Sequence, residues 1–232
     1  MAVKHSHIIC QMHPKDSTQA FLNRRQFSDY ILERSIRENI LDVQNKKENH
    51  SQQFWQLKFL EMKNSYYQDF HHLYTDASKT SSGTAFAVYD HTTQQLLSSK
   101  INSNYSITNA ELLGIRSAME IIKEKQYQKA VIFTDSKGAC QIIRNKAKTN
   151  DNFLAWEAAK LLKEGKVKLQ WVPSHQGIPG NEKADEEAMR ATEGPQTTFN
   201  SLTLSDAILL AKSEIWEDWV REYKTTSTEK GT

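Results

Sequence analysis

Two apolar runs in this chain end in the same dipeptide: Leu73-Tyr74-Thr75-Asp76 and Val131-Ile132-Phe133-Thr134-Asp135. The second, preceded by Ala130, is a nearly unbroken apolar run. That is the pattern of a strand buried on both faces, inside a sheet covered by helices. A carboxylate placed directly after such a strand emerges at the carboxyl edge of the sheet, where open α/β sheets build their sites. Two further acids fall on predicted helices: Glu111 in Thr108-Asn109-Ala110-Glu111-Leu112, and Asp185 in Asn181-Glu182-Lys183-Ala184-Asp185. Carboxylates gathered at one edge repel each other unless cations neutralise them. Hard divalent cations with oxygen ligands are the natural partner, and the combination points to metal-assisted phosphoryl chemistry.

The surrounding pattern supplies the scaffold. Strands are expected over 70–79, 83–90 and 95–101, the second on the alternation of Ala85, Ala87 and Tyr89 against Phe86 and Val88. A helix follows from a Thr108 or Asn109 cap to about residue 125, with Leu112, Ile115, Met119 and Ile122 facing the sheet. Gly114 within it costs about 1 kcal/mol of helix propensity relative to Ala, and suits a close approach to the sheet. Then come a strand over 130–134, helices over 136–145 and 153–164, a strand over 167–172, and a helix to 191 capped by Asn181. Gly194-Pro195 marks the end of this domain, placed at 70–195. An antiparallel meander followed by alternating helix and strand implies an α/β fold with a mixed five-stranded sheet and helices on both faces.

The flanks read as helical extensions. Residues 1–19 form a polar tail expected to be disordered. His5, His7, Cys10 and His13 in it have spacings that zinc could use, but no scaffold stands beside them. Residues 20–69 read as helical: Tyr30, Ile31, Ile36, Ile40, Leu41 and Val43 recur on one face, and a second segment over 54–67 carries Trp55, Leu57, Phe59, Leu60 and Met62. Within 196–232, an amphipathic helix over 205–223 has Ser205 as its cap and Ile208, Ala211, Ile215, Trp219 and Tyr223 along one side. That side, with Trp216, serves either packing on the domain or contact with a partner.

Composition narrows the classes. Hydrophobic residues make up 38% and charged residues 25%, which fits a globular chain rather than a disordered one. No run reaches the length of a membrane span, and the start has no apolar core of a secretory signal. Cys10 and Cys140 are the only cysteines, so no disulfide framework is expected. A non-secreted, intracellular protein is the expectation, with nucleus and cytoplasm both open. The net charge of +2 is small for a dedicated electrostatic binder of nucleic acid. Lys137, Arg144, Lys146 and Lys148 nevertheless follow the third carboxylate, as a solvated helix face or as phosphate contacts.

The acids, together with Trp171-Val172-Pro173-Ser174-His175-Gln176-Gly177-Ile178-Pro179-Gly180, resemble ribonuclease H type 1 over residues 70–195. The order Asp76, Glu111, Asp135, His175, Asp185 is intact, and His175 and Asp185 stand ten positions apart, as in that family. The wording of the loop is similar to the ribonuclease H domains of insect non-LTR retrotransposons. The resemblance implies two Mg²⁺ ions, with Mn²⁺ as a substitute, held by Asp76, Glu111, Asp135 and Asp185. It implies His175 as a proton shuttle, an RNA–DNA hybrid as substrate, and a reverse transcriptase region as a companion. It also implies substrate contacts at Ala77, Ser78, Thr108 and Asn109, to which Lys137 and Asn181 are added here. Three departures stand out: Ala77 replaces a common Gly, Thr108 stands where some relatives carry Asn, and only 40 positions separate Asp135 from His175. The basic insertion of bacterial members has no room in that interval. A different nuclease on the same fold and an inert retroelement remnant are the competing readings.

Overall fold

The computed structural model describes residues 32, 34–40, 43, 50–149, 152–162, 165–195 and 202–229, the side chains of 146–149 and 225–229 excepted. The 1–19 tail with its His and Cys residues, most of the 20–49 segment, and the side chains of Lys146 and Lys148 lie outside the described residues.

In chain order the elements are β1 (Ile36–Arg37), α1 (Gln52–Tyr66), β2 (His71–Thr80), β3 (Gly83–Asp90), β4 (Gln95–Ile101) and α2 (Ile107–Glu124). They continue with β5 (Ala130–Thr134), α3 (Lys137–Thr149), α4 (Phe153–Leu162), β6 (Val167–Trp171), α5 (Pro179–Ala191) and α6 (Leu204–Glu229). The sheet has the order β1-β6-β5-β2-β3-β4. β2, β3 and β4 form the antiparallel meander, while β5, β6 and β1 add on in parallel. The fold is the expected mixed α/β sheet, with one strand more than the five read from the sequence. The sixth comes from the segment read as helical. Ile36 and Arg37 pair with Leu169 and Gln170. Ile36 and Ile40 are both buried, so a spacing of four that resembles a helix face here belongs to a short edge strand and the bend after it.

The period-two alternation of the strands divides the core into two halves. Leu73, Phe86, Val88, Ile132 and Leu169 face one way, against Leu112, Leu113, Ile115, Met119 and Ile122 of α2 and the apolar faces of α3 and α4. Their neighbours Tyr74, Tyr89, Val131 and Phe133 face the other way, against Trp55, Phe59 and Met62 of α1 and Ala184 of α5. Both faces of β5 are therefore covered, as its composition requires. α1 and α5 together cover the second face, so α1 is packed into the core of the domain. Phe59 meets Phe133 edge to face with ring centroids 5.2 Å apart. Burying residues such as Trp55, Phe59 and Met62 stabilises by about 1.5–3 kcal/mol each. Leu57 and Leu60, on the opposite side of α1, stay exposed.

Three caps differ from the sequence reading. Ser106, not Thr108 or Asn109, caps α2, its Oγ accepting from Asn109 N at 3.3 Å. α5 begins at Pro179, which places Asn181 inside the first turn instead of at the cap. Thr203, not Ser205, caps α6, its Oγ1 accepting from Asp206 N at 3.2 Å. Core packing continues past the expected domain end, since Leu202 and Ala207 are buried with the α2 face. Beyond Ala211 the helix leaves the domain. Ile215, Trp216, Trp219 and Tyr223 are exposed, and Trp216 stacks on Trp219 with centroids 5.2 Å apart.

Candidate active site

The sheet register brings the first two acids together. Thr75 pairs with Thr134 between the parallel strands β2 and β5, so Asp76 and Asp135 each stand one residue beyond the same rung. Asp76 is a buried strand residue opposite Ala87, and Asp135 sits at the strand end before α3. Glu111 comes down from the first turns of α2, whose packing on the sheet leaves the residue only 6% exposed. One carboxylate oxygen from each of Asp76, Glu111 and Asp135 lies within 4.8 Å of the others.

Burial dominates the electrostatics of this group. It pushes the Asp76 carboxyl up to about 8, with repulsion from Asp135 and Asp185 adding to it and the Ala77 N–H, which donates to Asp76 Oδ1 at 2.7 Å, opposing it. Burial, and then the Asp76 and Asp135 charges, raise Glu111 well above the ordinary range. Asp135 is raised by burial and by Asp185, while Asn181 opposes the shift, its Nδ2 donating to Asp135 Oδ2 at 3.5 Å. Among the described residues, Glu111 Oε2 and Asn181 Oδ1 are buried without a hydrogen-bond partner. Clustered carboxylates with an orphaned buried oxygen are the donor set a hard divalent cation completes. The residues therefore fit a divalent metal ion.

Asp185 and His175 form an adjoining group on α5 and the loop before it. His175 Nδ1 lies 3.4 Å from Asp185 Oδ2, with the imidazole side chain 68% exposed. Asp185 clusters with His175 and Glu182, next to the buried acids. The loop that carries His175 is held at three points. Gly177 adopts a φ of +65°, natural for glycine, and its N–H donates to Glu182 Oε1 at 2.9 Å. Its carbonyl accepts from Gln56 Nε2 on α1 at 3.1 Å. At Gly180 a Cβ would stand 2.3 Å from the Tyr74 ring, so only glycine lets α5 sit this close to β2.

The substrate-contact candidates divide. Ala77, Ser78 and Thr108 are partly exposed near Asp76 and Glu111, and Asn181 reaches Asp135. Lys137 is exposed, its ammonium 5.4 Å from the Trp171 ring centroid. Asn109 does not belong with them. It is 4% exposed, and its amide is taken up by Asn152, Thr203, Ser205 and Asp206. Arg144 likewise leaves the basic cluster, because it pairs with Glu38 at 2.7 Å and donates to the Ile36 carbonyl at 2.8 Å, holding β1. Glu182 and Gln56 were missed. The signal for Glu182 was its place in a first turn, from which an acid can reach back to a backbone N–H ahead of its helix, as in a capping box. Nothing local marks Gln56, whose partner is 121 positions away.

Beyond this geometry, the RNase H family model matches residues 68–193. That span is more than half of the 232-residue chain and includes all five of Asp76, Glu111, Asp135, His175 and Asp185. The chain belongs to the RNase H family.

Proposed function

We propose that this chain is a divalent-metal-dependent endoribonuclease that hydrolyses the RNA strand of RNA–DNA hybrids and leaves 5′-phosphate and 3′-hydroxyl ends. The observation that carries the reading is the set of three carboxylate oxygens within 4.8 Å of one another inside a domain of the RNase H family. Two Mg²⁺ ions, or Mn²⁺ in their place, held by Asp76, Glu111, Asp135 and Asp185, would neutralise phosphate charge and lower the pKa of bound water. The protein's own residues do the rest. Asp76 and Glu111 are buried, so their carboxylates are set by β2 and α2 before substrate arrives. Asn181 steadies Asp135 through its amide. His175 Nδ1 stands beside Asp185 Oδ2, which orients the ring and leaves Nε2 of an exposed imidazole free to carry a proton to or from the site. Ser78, Thr108 and the Ala77 backbone border the carboxylates, where 2′-hydroxyls of a wide, shallow minor groove can be read by shape. Lys137 supplies a phosphate contact from the start of α3.

The wording of residues 171–185 supports an origin in a non-LTR retroelement, with a reverse transcriptase region as companion. The test of activity is a panel of labelled substrates with Mg²⁺: hybrid, single-stranded RNA, double-stranded RNA and double-stranded DNA. The reading predicts cleavage of the RNA strand in the hybrid. Equal cleavage of double-stranded DNA would overturn it.

A further inference from the structure

Three helix N-termini meet on one buried polar group. Asn109 lies in the first turn of α2, and its Nδ2 donates into a cage of Thr203 Oγ1 at 3.0 Å, Ser205 Oγ at 3.2 Å and Asp206 Oδ2 at 2.9 Å. Its Oδ1 accepts from Asn152 Nδ2 at 2.6 Å. Asn152 in turn caps α4, its Oδ1 accepting from Leu154 N at 3.1 Å and Ala155 N at 3.4 Å. Asp206 Oδ1 accepts from Ser106 N, at the cap of α2, at 3.0 Å. Asp206 is 1% exposed and Thr203 0%. One carboxylate thus sits where the N-terminal ends of α2, α4 and α6 come together, and the helix dipoles favour a negative charge there.

The hub stands two residues ahead of Glu111. Among the described residues Glu111 Oε2 has no hydrogen-bond partner, and the contacts that act on the carboxylate, the Ala77 N–H and Asp76, come from β2, so its approach to them depends on where the first turn of α2 sits. The first turn of α2 is itself held by a segment that begins after the family match ends at residue 193. We propose that Asp206, acting with Asn109, is the positioning group for Glu111. The start of α6 sets the first turn of α2 and thereby places the Glu111 carboxylate for the divalent ion. The inference rests on the reading of Glu111 as a metal ligand. It makes residues 202–207 part of the active-site architecture.

The pair can be tested by exchanging its two chemistries in the full chain. Asp206→Asn sets amide against amide, and Asn109→Asp sets carboxylate against carboxylate. The double variant Asn109→Asp/Asp206→Asn restores one donor and one acceptor with the roles reversed, and still offers an oxygen to Asn152. The readouts are Mg²⁺ affinity without substrate by calorimetry, the kcat and KM for hybrid cleavage, and thermal melting in EDTA. Each single variant is expected to weaken Mg²⁺ binding about 10-fold to 100-fold, the usual loss when a group that orients a metal ligand is removed. Its kcat should fall while the hybrid KM holds, and the double variant should recover Mg²⁺ affinity. If the single variants do not fold, Thr203→Val removes only the hydroxyl that Asn109 and the Asp206 N–H use, and a weaker Mg²⁺ affinity is expected from it as well. Folded variants that melt lower but bind Mg²⁺ as the wild type does would reduce the hub to fold stability and overturn the inference. So would a folded double variant no better than the singles. A wild type that binds Mg²⁺ and responds in this way without cleaving hybrid would refute the proposed activity and leave the positioning role standing.

Discussion

Gln56 on α1 and Gly177 in the His175 loop are joined across 121 positions of chain, Gln56 Nε2 donating to the Gly177 carbonyl at 3.1 Å. A helix that packs on the second face of the sheet therefore also holds the loop that presents the imidazole. A Cβ at Gly177 would stand 2.2 Å from Gln56 Nε2 and 2.5 Å from Gln52 Nε2, at a φ of +65°. The glutamines can swing aside, but the left-handed backbone cannot be relieved so simply, and it costs roughly 1–2 kcal/mol in a residue with a Cβ. Gly177→Ala is predicted to lose about that much stability in urea denaturation and to lower kcat at unchanged Mg²⁺ affinity. Wild-type turnover in this variant would show that the loop need not be held.

The buried acids make the metal-free protein sensitive to alkali. In the unfolded chain aspartate and glutamate ionise near pH 4, whereas in the fold Asp76 is pushed up to about 8 and Glu111 and Asp135 are raised too. Between those limits the folded state holds protons that the unfolded state has released. The contribution of these groups is complete at the acid end and is lost as pH rises through about 8. In EDTA, the stability difference between wild type and Asp76→Asn should therefore move in favour of the variant from pH 5 to pH 8, and Mg²⁺ should reverse the trend. A difference that moves the other way in EDTA would mean that Asp76 is not held protonated.

His175→Ala should slow cleavage without removing it. Proton transfer by a positioned side chain contributes about 10²–10⁴-fold, and the exposed imidazole stands at the edge of the acid group, beside Asp185. Calorimetry should give an Mg²⁺ affinity near that of the wild type. Loss of Mg²⁺ binding in this variant would make the imidazole a ligand instead.

What could be read from the residues alone follows from the range of the forces involved. β3, β4 and β5 appear at the bounds read for them, because alternation and full burial are local patterns. The acids were legible because each closes an apolar run or sits on a strongly periodic helix. β1 was not, since two residues are too few to show a period, and Ile36 and Ile40 satisfy a helical spacing equally well. Asn109 beside Glu111 reads as a substrate contact. Its true partners, Thr203, Ser205 and Asp206, are 94 to 97 positions away and invisible to any local window. Asn181 reads as a cap because Asn is a good one. Pro179 starts the helix three residues earlier than an Asn181 cap would, and frees the amide to reach Asp135.

The C-terminal helix divides into two parts with different consequences. A chain ending after residue 211 keeps Leu202, Thr203, Asp206 and Ala207, all of them buried. It should melt within a few degrees of the full chain, while one ending after residue 201 should melt distinctly lower. The span 212–224 carries three basic and four acidic residues, so it offers phosphate no net positive charge. Its removal should leave the slope of hybrid affinity against salt unchanged, because that slope counts neutralised phosphates. A clearly shallower slope would make this exposed helix a nucleic-acid contact.

The most direct measurement is Mg²⁺-dependent cleavage of a labelled RNA–DNA hybrid by the wild type and by Asp76→Asn, with folding of both verified by melting. Asp76 lies centrally in the acid cluster, next to Asp135 on the adjoining strand and within 4.8 Å of Glu111, oxygen to oxygen. The account predicts RNA-strand cleavage with 5′-phosphate ends by the wild type, and none by an equally stable or more stable variant. Cleavage by a folded Asp76→Asn protein at a comparable rate would contradict it.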